Sequence, residues 1–238
     1  MSDALNHLLT SDWTPPVGSP PARALAHVAA QCAGPPLDPA LRVTLNFHPD
    51  RLHRGMPLLA ALAVDGVYRS QFETGTSNGR PKYGALNYRR RQTGGSPRFG
   101  SAHLRLRPEV LRRSTFCFPD SAFGPVDFGV ASHMALVAQA AAADRDALDD
   151  YIEAHVHGPL LLTRDVEALV LDPCHRDTEV EELARRLPCP VEWHPGFRLP
   201  VEVLRRHPDY RGSTYVALGE ALARAGELTP EVVGDAAR

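Results

Sequence analysis

Along this chain, apolar positions alternate with polar ones in some stretches and recur at helical spacing in others. Residues 42–47 (RVTLNF) place Val43, Leu45 and Phe47 on one side of a β-rich run that His48-Pro49-Asp50 closes. In residues 101–108 (SAHLRLRP), Ala102, Leu104 and Leu106 alternate with His103, Arg105 and Arg107, the pattern of a half-exposed strand. Residues 114–121 (STFCFPDS), 151–158 (YIEAHVHG), 166–172 (VEALVLD) and 190–194 (PVEWH) read as further strands, and 67–72 as extended. Leu25, Val28, Ala29 and Cys32 share a helical face over residues 21–32, with proline near the first turn. Residues 56–64 predict a short apolar helix stopped by Asp65-Gly66, and the Ala-rich stretch 131–151 a long helix or helix pair.

Helical signals dominate the last third. Thr178-x-x-Glu181 reads as a capping box. Two more helices follow, the second over 213–225 with Gly226 as its C-cap. Thr229-Pro230 opens another that reaches Arg238 after barely two turns, so further residues or a disordered tail are expected beyond it. The whole is α+β. It divides into an N-terminal helical segment and linker (1–40), an α+β core (41–175) and a mostly helical extension packed on that core (176–238). No internal repeat is visible.

Composition narrows the setting without changing this picture. With 43% hydrophobic and 23% charged residues, the chain has the make-up of a soluble globular protein. A net charge of −2 gives no reason for non-specific adhesion to nucleic acid or anionic membranes. The four cysteines form no CxxC pair, which favours reduced thiols and a cytoplasmic location. The N-terminus does not read as a signal peptide, and no apolar run approaches the ~18 residues of a membrane helix.

Two stretches carry candidate chemistry. Residues 68–99 are glycine-rich and polar and hold seven of the 26 basic residues. Glycine lets backbone approach a ligand closely, and arginine offers forked donors to phosphate or carboxylate. Within this block RPKYGALN (80–87), Arg89, Arg90, Arg91 and especially Arg98 would suit a diphosphate. The second stretch is 151–158. As a strand it puts Glu153, His155 and His157 on one face and Ile152, Ala154 and Val156 on the other. That row reads as metal ligands, as a catalytic carboxylate with histidine neighbours, or as a solvated strand face. No GxGxxG, P-loop or G-x-S-x-G pattern is present, which speaks against Rossmann, P-loop and α/β-hydrolase sites.

SQFETGTSNG, PKYGALN, GSPRFGSAHLRL and TFCFPDS together resemble a bacterial family of unassigned function, from about Arg42 to the C-terminus. In that family's pattern a tryptophan- and glycine-containing segment separates SNG from PKYGALN, whereas here Gly79 runs straight into Arg80. More distantly the chain resembles the ADP-ribosyltransferase superfamily. The likeness lies in His48 ending a strand, the helix leading to Asp65-Gly66, Ser70, the Tyr83-Gly84 pair and a late strand bearing Glu153. The resemblance implies a split β-sheet core with flanking helices and a helical C-terminal part. It implies NAD as co-substrate, cleaved at its nicotinamide–ribose bond, and no metal. Glu153 would grip a ribose hydroxyl, His48 would orient the adenosine-side ribose, and Tyr83, beside Gly84, would stack on nicotinamide. Arg98 and Ser70, with Gln71, would hold phosphate or amide groups. The second acidic residue usual in that superfamily is missing, since Tyr151 and His155 flank Glu153. The acceptor, whether protein, nucleic acid or small molecule, stays open. Two other readings stand beside it. One is a metal-dependent hydrolase or nuclease using Glu153, His155 and His157, with His175 or His48 as a further ligand. The other is a non-enzymatic ligand- or protein-binding module.

Overall fold

The computed structural model describes residues 13–68, 80–145, 148–208 and 212–237. Its centre is one mixed eight-stranded sheet. The strands are β1 (Val43–Phe47), β2 (Lys82–Leu86), β3 (Ala102–Leu106), β4 (Ser114–Phe118), β5 (Asp127–Val130), β6 (Ile152–Val156), β7 (Val166–Leu171) and β8 (Val191–Trp193). Their order is β8-β7-β3-β1-β2-β6-β4-β5, and every neighbouring pair is antiparallel except β7–β8. The helices are α1 (Pro20–Ala29), α2 (Leu58–Asp65), α3 (Leu136–Ala142), α4 (Glu179–Ala184), α5 (Val201–Arg206), α6 (Ser213–Leu222) and α7 (Pro230–Ala237). A single helical turn at Leu162–Asp165 precedes β7. No helix among the described residues is long and apolar enough to cross a membrane.

Strand alternation sorts the side chains into two unlike faces. Val43, Leu45 and Phe47 of β1 join Leu104, Ile152 and Ala154 in one apolar core. Leu58, Leu59 and Leu62 of α2 and Val180 and Leu183 of α4 complete it. Burying each of these large side chains is worth about 1.5–3 kcal/mol. The register puts the other set on the opposite face: Thr44 opposite Ala85, Tyr83 opposite His155, Thr115 opposite His155, and Cys117 opposite Glu153. That face is polar, and it carries the candidate chemistry.

The sheet parts in its middle. β1 and β2 pair only at Val43↔Leu86 and Thr44↔Ala85. Beyond that, β1 runs on with β3 to Phe47↔Ala102, while β2 stays with β6 as far as Lys82↔Val156. Gly84 stands where the two diverge, and a Cβ there would lie 2.7 Å from the Thr44 carbonyl oxygen. The loop over residues 93–100 is clipped to β1 beside this opening. Gly95 N–H donates to Thr44 Oγ1 at 2.8 Å, and Asn46 Nδ2 donates to Thr93 O at 2.9 Å and Gly100 O at 3.2 Å. Gly100 crosses so close to β1 that a Cβ would fall 1.9 Å from Phe47 C.

Charged clamps hold both ends of β6. Before it, Asp150 accepts hydrogen bonds from Tyr88 Oη and Arg89, and pairs with Arg91 at 2.7 Å. Burial works against the charged Asp150 carboxyl, but these donors hold it below its ordinary value. After β6, the buried Arg113 pairs with Asp165 at 2.9 Å and donates to His157 O at 2.5 Å and Pro159 O at 3.0 Å. Asp165 also takes Arg164 Nη2 and Leu161 N–H, each at 2.7 Å.

Tertiary context redraws several expected elements. The Ala-rich stretch 131–151 yields only α3, because Ala143 turns extended and the Asp150 clamp takes the far end out of helix. The strand at 101–108 is not half-exposed: β1 and β7 flank β3, and His103 is buried. β5, sequence DFGV, gave no strand signal, since Asp and Gly are weak β-formers. The capping box is displaced by one residue. Glu181 Oε2 accepts from Asp177 N at 2.7 Å, while Thr178 Oγ1 donates to His175 O at 2.7 Å. The strand expected at 190–194 is present as β8 and pairs parallel with β7.

Replacing Asp165 by Asn would leave the Arg113 guanidinium buried without its counter-charge. The expected cost is about 3–5 kcal/mol, read as a lower denaturant midpoint with an unchanged m-value. A loss under ~1 kcal/mol would show that this clamp does not hold β6.

Candidate active site

The parting of β1 from β2 opens a cavity of about 370 Å³. Asn46 and Phe47 line it from β1, Tyr83 and Gly84 from β2, and Glu153 from β6. Arg51, Phe99, Ser121 and Tyr151 complete the parts that matter chemically. Period two along the chain from residue 151 explains why Tyr151 and Glu153 reach the same space. Tyr151 Oη donates to Asp120 Oδ2, and its ring meets Phe99 edge-on with centroids 5.8 Å apart.

Glu153 is buried yet held ionised. Ser121 donates from Oγ at 3.0 Å and from its backbone N–H at 3.3 Å, both to Oε2. His155 Nε2 lies 2.5 Å from Oε1. Burial alone would raise the carboxyl, but His155 and then Ser121 outweigh it and keep it below its ordinary value. The Ser121 turn is itself fixed by Asp120, whose Oδ1 accepts from Ala122 N at 2.6 Å. Tyr83, 38% exposed, packs edge-on against His155 with ring centroids 5.2 Å apart. Behind them, Thr115 Oγ1 sits 3.1 Å from His157 Nε2. Burial and the nearby charges of His155, Lys82 and Arg113 push His157 down to about 4, so it is neutral at pH 7.

The remaining expected residues are distributed as follows. His48 lines a second, larger cavity of about 930 Å³, which shares Arg51 with the first. Arg98 is paired with Asp149, its guanidinium lies over Phe99, and it borders neither cavity. Ser70 and Gln71 lie outside the described residues. Arg89 and Arg91 serve the Asp150 clamp, and Arg90 pairs with Asp38 at 2.6 Å. The arginine run is therefore scaffold. His175 follows β7, four strands from β6 in the sheet order, too far to join Glu153.

For a metal, the compact donor set among the described residues is Cys117, Glu153 and His155, with ligand atoms within 4.8 Å of one another; His157 is not part of it. These donors do not fit a tetrahedral ion as they stand. Two bonds of about 2.1 Å at a tetrahedral angle hold their ends about 3.4 Å apart. His155 Nε2 and Glu153 Oε1 are at 2.5 Å, bonded to each other. Burial, with Glu153 and Asp120 nearby, pushes the Cys117 thiol up to about 12.

The sequence does not mark Arg51 as a site residue and reads Asp120–Ser121 as the end of the strand 114–121, whereas the strand stops at Phe118 and these residues form a turn. The Pro-Asp-Ser step in TFCFPDS is a turn signal that could have flagged the turn. Arg51 carried no comparable mark, but its exposed guanidinium makes no hydrogen bond or ion pair among the described residues and borders both cavities.

Fold and site thus define an α+β protein whose opened mixed sheet encloses a buried, hydrogen-bonded carboxylate. The chain belongs to the family described as "Protein of unknown function (DUF3626)", which it matches over residues 42–80, 79–144 and 130–238. No curated protein matches it.

Ser121→Ala would take one donor from Glu153. Because the folded-state value is depressed, the ionised carboxylate adds stability above the unfolded value of about 4.3, and this is lost as pH falls through the folded value. The variant is expected to titrate Glu153 closer to its ordinary value, seen by carboxyl-selective NMR, and to lose about 1.5–3 kcal/mol at pH 7. An unmoved titration would show that Ser121 does not support the carboxylate.

Proposed function

We propose that this chain is an ADP-ribosyltransferase-like enzyme that cleaves the nicotinamide–ribose bond of NAD. The observation that carries the reading is that Tyr83 and Glu153, far apart in sequence, line one cavity in the opening between β1 and β2. A sheet that parts beside this cavity also agrees with the split-sheet core of that superfamily.

The chemistry suits the site. Nicotinamide leaves as a neutral molecule, taking the C1′–N electron pair to discharge its pyridinium, so no proton donor is required. Positive charge then develops on the ribose as an oxocarbenium-like species. An ionised carboxylate fixed in a partly apolar cavity is the group that lowers its energy. An acceptor X–H attacks C1′ and releases its proton. In this scheme Glu153 grips a ribose hydroxyl, with Ser121 and His155 holding it in place. Tyr83 and Gly84 flank the nicotinamide. Arg51, rather than Arg98, takes the diphosphate, and the adenosine-side ribose turns past His48. The acceptor remains open.

With NAD labelled in the nicotinamide, the wild-type protein is expected to release label, and Glu153→Gln to slow release about 10²–10³-fold. NAD left intact by the folded wild type, or a variant as fast as wild type, would overturn the proposal.

A further inference from the structure

The larger cavity has a chemistry of its own. Phe197, Leu199, Leu228, Pro230 and Val233 from the C-terminal part face Leu52 and Pro97 from the core. This wall is anchored: Phe197 N–H donates to Asp172 Oδ2 at 2.7 Å, and Leu199 pairs in register with Leu228. Its polar lining comprises His48, Asp50, Arg51, Ser101, Arg198 and Thr229. Arg198 is neutralised by Glu227 at 2.9 Å. Arg51 has no partner among the described residues. Ser101, only 5% exposed, borders the cavity, and its Oγ finds no hydrogen-bond partner among the described residues.

We propose that this cavity binds a small organic acid with an apolar body, either an alkyl chain or a fused ring, whose acid group is held by Arg51. A volume of about 930 Å³ admits a whole small molecule of this kind. Because Arg51 serves both cavities, such an acid and an anion in the smaller cavity compete for one guanidinium.

Decanoate and 2-naphthoate, titrated calorimetrically below micelle-forming concentrations, test this directly and distinguish chain from ring. At least one is expected to bind saturably at one site. Arg51→Gln is expected to weaken it about tenfold or more. Val233→Trp is expected to weaken binding by occupying part of the apolar wall's space. Val233 is 51% exposed and Leu199 37% exposed, so Leu199→Trp stands in should Val233→Trp fail to fold. No saturable binding of either acid by folded wild type, or undiminished binding in the folded Trp and Gln variants, would overturn the proposal.

Discussion

The parting of β1 from β2 after two registered pairs is the constraint on which the rest of the structure depends. A strand that leaves its partner in mid-sheet exposes backbone groups and side chains that must be satisfied otherwise. Thr44 and Asn46 answer this by holding the loop over residues 93–100 with their side chains. Gly84 and Gly100 allow the two close backbone approaches that the arrangement needs. With β1 steered toward β3 and β2 kept on β6, the gap becomes a cavity with Glu153 in its wall.

Within that cavity the energetics turn on one carboxylate. An isolated buried Glu would take up a proton, and a neutral Glu153 would offer little to a developing cation. Ser121 and His155 shift the balance toward the charged form, and the clamps at Asp150 and Asp165 fix the strand that carries it. Arg89, Arg91, Arg113 and Arg164 are engaged in those clamps. Among the described residues lining the two cavities, Arg51 is the cation with no side-chain partner.

How far the sequence revealed this depended on the range of each interaction. Period two along 151–158 is local: it placed Glu153, His155 and His157 on one face and Ile152, Ala154 and Val156 in the core; those three are in the core, and the strand itself ends at Val156, before His157. Strand β3 alternates cleanly too, but its burial depends on two neighbours that the alternation does not encode. The Ser121–Glu153 hydrogen bond spans 32 residues and was invisible for the same reason. Arg98 looked the better ligand because of its Pro and Gly neighbours; its pairing with Asp149 is a tertiary fact. Arg51 carried no local signal. The opening of the sheet exists only in the pairing register.

The central claim is that the gap between β1 and β2 is where a ribose meets Glu153. A crystal structure of the protein with a hydrolysis-resistant NAD analogue tests it most directly. The account predicts the nicotinamide ribose in the smaller cavity, with a hydroxyl about 3 Å from the Glu153 carboxylate and Tyr83 against the nicotinamide ring. An analogue bound elsewhere, or a smaller cavity left empty at saturating analogue, would contradict it.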